Sequence, residues 1–174
     1  MSDPELDLVL DVEDPRWETA LLDPRALLRE AVALALAGRW TEARPIEIGV
    51  KLTDDKAVQA LNREWRGRDK PTNVLSFPMG DPDPMPAGET GMAMPWLAGD
   101  IVMAYDTVAA EATEAGKPFA HHVAHLAVHA TLHLLGYDHE AEPEAIEMEA
   151  AEIALLARLG IPDPYAERSG SIDR

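Results

Sequence analysis

His129 to His139, HATLHLLGYDH, decides how the rest of the chain is arranged. His129 and His133 are four apart in a run without Pro or Gly, so on a helix their rings leave one face, about 6 Å apart along the axis. Gly136 follows, a residue that readily takes the left-handed conformation ending a helix and lets the chain fold back to bring His139 to the same point. Three neutral nitrogen ligands with an open fourth position describe a catalytic zinc site rather than a structural one.

The spacing HxxxHxxGxxH resembles the metzincin protease signature at every position but one, because Ala130 stands where those enzymes carry a Glu. That Glu is the general base of peptide hydrolysis, so the metal motif is kept while the usual protease chemistry is not. His121 lies about 18 Å along the axis from His133, too far to share an ion, and reads as a surface or substrate-side residue. His125 could reach an ion only with His129, which leaves the third ligand unexplained. It reads as solvent-facing or as a support for the ligands.

A length of 174 residues suits one domain, with a core over 1–160 and a loosely held tail over 161–174. The chain has no Cys, which excludes disulfides and thiolate ligands and fits a reducing compartment. Its start, MSDPELDLVL, lacks the basic region and apolar core of a secretory signal, and its longest apolar run, Ala31 to Ala37, is too short to span a bilayer. A soluble, cytoplasmic protein with no membrane partner is expected. The formal net charge of −17 argues against general nucleic-acid binding. Of the 15 basic residues, however, Arg63, Arg66, Arg68 and Lys70 fall within eight positions, and none occurs from Pro71 to Gly116. The body is acidic with one local positive patch.

Leu6, Leu8, Leu10 and Val12 alternate with polar residues as in a half-buried strand, and Ile46, Ile48, Val50 and Leu52 repeat the pattern. Asp23 before Pro24 reads as a helix cap, with Gly38 closing that helix. Thr53 or Asp54 caps the next, which carries Val58, Leu61 and Trp65 on its apolar side. Val74 to Phe77 and Asp100 to Tyr105 read as strands, separated by a long loop from Pro78 to Gly99 that is rich in Pro and Met. Thr107 to Ala115 and Phe119 to Leu135 read as helices. A last one begins at Pro143, packs Ile146, Met148, Ile153, Leu156 and Leu159 on the core, and turns its glutamates to water. The expected fold is a single α+β domain, a mixed four-stranded sheet flanked by about five helices, with the zinc site at the end of a central helix.

Taken with the histidine motif, LNREWRGRDKPTNVLSFP (Leu61 to Pro78) and GDIV (Gly99 to Val102) resemble the YbeY family of bacterial endoribonucleases that act in ribosomal RNA maturation. That family's motif reads HGxLHLxGYDH and its upstream block LNxxYRxKDxPTDVLSFP; the matching blocks run in order from Leu61 to His139, nearly half the chain. The resemblance implies zinc ligation by His129, His133 and His139, a functionally important arginine at Arg66, and single-stranded or ribosomal RNA as substrate. It further implies a place in ribosome quality control and association with the small ribosomal subunit. Among the departures from the pattern, Trp65 stands for Tyr, Asn73 for a frequent Asp, and Ala130 for Gly.

The residues are compatible with that chemistry. A zinc ion on three imidazoles acidifies water and polarises a phosphoryl oxygen, and the planar fork of Arg66 offsets charge growing on a scissile phosphate. Arg63, Arg68 and Lys70 would hold flanking phosphates. Asp138 and Asp106 are candidates to orient a ligand imidazole. Ser76 has no base in sequence to activate it as a nucleophile. Trp65 and Trp96 offer stacking surfaces for unpaired bases, although helical spacing favours core positions for them. Two alternatives stand beside this reading: a metallohydrolase of other specificity, and a ribosome assembly factor with a mainly structural zinc. The latter's acidic surface would dock on a basic ribosomal protein.

Overall fold

Alternating aliphatic side chains build two parallel strands, β1 (Leu6–Val12) and β2 (Ile46–Thr53), which pair with Leu8 beside Ile48 and Val12 beside Leu52. In the computed structural model, which describes residues 5–80, 94–137 and 141–166, two more strands complete the sheet. They are β3 (Val74–Pro78) and β4 (Trp96–Ala104), in the order β1-β2-β4-β3, with β4 parallel to β2 and β3 antiparallel to β4. The mixed four-stranded sheet is as the alternation predicts.

Six helices lie among the described residues rather than about five: α1 (Arg16–Ala20), α2 (Pro24–Leu36), α3 (Asp55–Arg66), α4 (Tyr105–Ala115), α5 (Phe119–Leu134) and α6 (Glu142–Arg158). The extra one, α1, is a single turn too short to show a period. It buries Trp17 completely, with the indole Nε1 donating to the Thr53 carbonyl at 2.9 Å. Asp23 and Asp54 cap α2 and α3 by accepting from the Ala26 and Ala57 amides at 3.1 and 2.9 Å. Strand β4 starts at Trp96, four residues before the predicted start. Ala98 is an extra residue there, because the register on β2 shifts between Glu47 and Ile48. Gly99 makes that bulge with φ +143°, where a Cβ would lie 2.3 Å from the Phe77 carbonyl oxygen. The rest of the predicted Pro78 to Gly99 loop, residues 81–93, lies outside the described residues.

One face of the sheet carries Ile48, Val50, Leu52, Ile101 and Met103 into the main core, together with α2 and α5. Helix α5 is buried along almost its whole length, packing Val123, Leu126, Val128 and Leu132 against α2, β3, α4 and α6. Each such side chain contributes about 1.5–3 kcal/mol by leaving water, so α5 is a rigid mount for whatever it carries. It carries His129 and His133 in its last two turns.

Helix α6 departs from expectation in two places. Ile146 is 62% exposed rather than packed, and Glu152 is fully buried rather than turned to water. Beyond Gly160 the chain is held for several residues, with Ile161 buried and the Tyr165 hydroxyl bonded to Glu152. Among the described residues no helix is long and apolar enough to cross a membrane.

Candidate active site

His129 and His133 present their rings from α5 with centroids 4.7 Å apart and planes at 81°. The helical spacing thus brings the two imidazoles together as the sequence predicts. They line a cleft of about 730 Å³ whose opposite wall holds Arg66, Arg68, Lys70 and Asn73. That wall is built by the end of α3. Gly67 takes φ 69° and stops the helix, and the buried Asn62 then pins the turn, its Nδ2 donating to the Lys70 carbonyl at 2.8 Å. Arg66 Nη2 donates to the Ser76 carbonyl at 2.9 Å, and its guanidinium lies 5.8 Å from the centre of the Phe77 ring. Arg63 is not among the residues lining the cleft. It points to solvent, 3.8 Å from Asp69.

Behind the histidines sits a carboxylate that the sequence reading placed in water. Glu152 accepts at 2.7 Å from His129 Nδ1 and at 2.7 Å from His125 Nε2, and the Tyr165 hydroxyl donates to the same carboxylate. Burial alone would raise the Glu152 carboxyl, but the hydrogen bonds from His125 and His129 outweigh it and hold the group at about 2, so it is an anion. His125 is pushed below its usual value, chiefly by burial and against the pull of Glu152. His125 is therefore a support for this network, as one of its two predicted readings had it. Fixing the proton of His129 on Nδ1 puts the lone pair on Nε2, the tautomer and orientation a metal ligand needs. The signal was in the sequence: Glu152 lies four residues from both Met148 and Leu156, on the buried stripe of α6.

Asn73 also acquires a role. Its Nδ2 donates at 3.0 Å to Glu111, which His122 contacts at 2.8 Å, so an Asp here would set two carboxylates face to face. Burial raises the Glu111 carboxyl, yet the hydrogen bonds from His122 and Asn73 prevail and leave it below its ordinary value. A lowered carboxyl stabilises the fold above the usual carboxylate range and loses that contribution as pH falls through its folded value. The Glu111 side chain is 41% exposed, so solvent screens the effect. The melting-temperature gap between wild type and Glu111→Gln is accordingly expected to be small at neutral pH and to close as pH falls below the ordinary carboxylate range. A gap that stayed constant with pH would remove this role.

Other predicted residues lie elsewhere. Asp106 does not orient an imidazole, because Arg16 Nη1 holds it at 2.7 Å and it accepts from the Asp55 amide at 3.2 Å. The Arg16 hydrogen bond keeps its carboxyl below the usual range. Trp96 stacks on Trp40 at 4.8 Å and belongs to the packing, whereas Trp65 is 66% exposed rather than on the buried side of α3. His121 lines a separate cleft with Lys117 and Asp163. Asp138 and His139 lie outside the described residues. Among the described residues no group of three His, Asp or Glu side chains is arranged to hold a metal ion, so the third ligand rests on the sequence motif alone.

The fold and the cleft define an α+β protein with a histidine pair, backed by a buried carboxylate, facing a basic turn. The model of the Endoribonuclease YbeY family matches residues 16–160, and the chain belongs to that family. It is 52% identical over 151 residues to the Endoribonuclease YbeY of Bradyrhizobium diazoefficiens, covering 86% of this chain and 80% of that one. With the Endoribonuclease YbeY of Paramagnetospirillum magneticum it shares 45% identity over 163 residues, 94% of this chain and 98% of the relative. The solution structure of TM1509 from Thermotoga maritima superposes with a TM-score of 0.54 over 94% of this chain and 93% of that one. At 23% identity this likeness bears on the fold alone.

Proposed function

We propose that the chain cleaves phosphodiester bonds in single-stranded RNA with one zinc ion held by His129, His133 and His139, and that it acts in ribosomal RNA maturation and ribosome quality control. The observation that carries this reading is the cleft in which His129 and His133 face Arg66, Arg68 and Lys70. The relatives' name, Endoribonuclease, supplies RNA as the substrate class. The donor set fits the metal: two imidazoles on one helix face, one of them backed by the buried Glu152 carboxylate. When bound, zinc supplies Lewis acidity at a phosphoryl oxygen.

The chain's own groups do the rest. Glu152 holds the His129 proton on Nδ1. Arg66 offers its fork to the phosphate, and Arg68 and Lys70 position the flanking backbone without reading sequence. Cytoplasmic placement is part of the same reading and is supported by the absence of Cys. The acidic body, at net charge −17, fits docking on a basic protein of the small ribosomal subunit. A second reading, an assembly factor with a mainly structural zinc, is favoured by the way Glu152 ties α5, α6 and Tyr165 into one network.

Elemental analysis of the untagged chain, followed by cleavage of a single-stranded RNA with zinc chelated and restored, separates the two. The expected result is one zinc per chain, with cutting lost on chelation and regained on return. Zinc bound but irrelevant to cutting would favour the assembly factor, and a chain without metal would end both readings.

A further inference from the structure

A second cleft, of about 820 Å³, opens on the sheet face turned away from α5, where Gly49, Lys51, Asp100 and Val102 alternate with the core positions of β2 and β4. Apart from Arg66, the proposed reaction uses none of its lining. Arg66, Ser76 and Pro78 line this cleft and the histidine cleft alike, so the two meet at the Arg66 guanidinium.

Its lining is aromatic and apolar. Trp65 is 66% exposed and meets Phe77 edge to face at 6.5 Å, while Val9 and Met79 are 50% and 65% exposed. An indole this open, on a helix whose Val58 is fully buried, is a bare stacking surface rather than a core residue. Gly49 leaves room for the Asp100 carboxylate to lie across the floor, where a Cβ would sit 2.3 Å from Asp100 Oδ1.

The charges in the cleft select the occupant. Asp11 and Asp100 contribute carboxylates, which repel phosphate but accept hydrogen bonds from N–H groups, and the one lysine, Lys51, is 3.5 Å from Glu13. An aromatic wall, a carboxylate on the floor and a phosphate-binding arginine at the mouth match a nucleotide whose base enters while its backbone stays outside. We propose that this cleft takes the nucleobase next to the phosphate held by Arg66, stacked on Trp65 with its N–H edge toward Asp100. The proposal rests on the RNA-cleaving reading and adds to it a base subsite outside the histidine cleft.

The test is a coupling measurement on the zinc-loaded chain. Fluorescence anisotropy reads the affinity for a labelled single-stranded 2′-O-methyl phosphorothioate oligonucleotide, which resists cleavage, and for versions carrying one abasic residue at each position in turn. Stacking of this kind is worth about 5-fold to 100-fold in affinity. Wild type is expected to lose that much at one abasic position, and Trp65→Ala to lose it on the intact strand but nothing further at that position. Trp65→Phe should regain most of it, and since Trp65 is exposed the variants should melt within a few degrees of wild type. Penalties that multiply would overturn the subsite. So would Trp65→Ala binding like wild type, which would leave the cleft to a protein segment. Coupling found in a chain that cuts no RNA would keep the subsite and reject the nuclease. Cutting without coupling would do the reverse.

Discussion

Arg66→Ala is expected to lower RNA cleavage by about 10²–10³-fold, the usual cost of deleting one donor aimed at charge that develops in a transition state, while zinc content stays at the wild-type level. Both halves follow from where the residue sits. Arg66 closes α3 beside Gly67 and lines the cleft opposite the histidines, so its removal touches neither α5 nor Glu152. One of its N–H groups is used on the Ser76 carbonyl at 2.9 Å, which orients the guanidinium and leaves the planar fork for a phosphate. Lysine carries the charge without the fork, so Arg66→Lys should fall between the two. Cleavage by Arg66→Ala within about threefold of wild type would remove Arg66 from the reaction. Parallel loss of metal would turn it into a structural residue.

The sequence made the sheet and the histidine pair legible for the same reason, that both depend on short periods. Alternation over Leu6 to Val12 and Ile46 to Leu52 reports strands directly, and spacing of four fixes the relation of His129 to His133 before any packing is known. The start of β4 was hidden because its bulge at Ala98 breaks the alternation, and α1 was hidden because five residues hold no period. Glu152 was missed for a different reason. A helix rich in glutamate reads as solvated, and only its place between Met148 and Leu156 sets Glu152 apart from Glu147, Glu149 and the other exposed or half-buried acids of α6. Trp65 failed in the opposite sense. It follows Leu61 by four and reads as core, yet only its edge meets Phe77 of β3 and the ring stands open over a cleft in the sheet face. The basic cluster was resolved only by geometry: Arg66, Arg68 and Lys70 turn into the cleft, and Arg63 turns out.

Glu152→Leu should then have the largest effect on the molecule as a whole, because it removes one acceptor that three donors share. His125, His129 and Tyr165 all end on this carboxylate, whose side chain has no exposed surface, and no water can replace it without opening the packing of α5 on α6. Leaving buried donors without their acceptor costs about 1–3 kcal/mol for each group, and three such donors are enough to consume much of the stability of a domain this size. The same change frees the His129 ring to take its other tautomer, and loss of such a backing carboxylate weakens zinc binding by about 10–100-fold. Glu152→Gln isolates the second effect. It keeps the volume and one carbonyl acceptor but turns an NH₂ group toward one of the two rings, so it should retain more stability than Leu while still losing zinc affinity. Urea unfolding and competition with a chromophoric chelator measure the two quantities separately. A Glu152→Leu protein as stable as wild type, with unchanged zinc affinity, would show that the carboxylate only fills space. Lost stability with intact affinity in the Gln variant would confine Glu152 to holding α6 against α5.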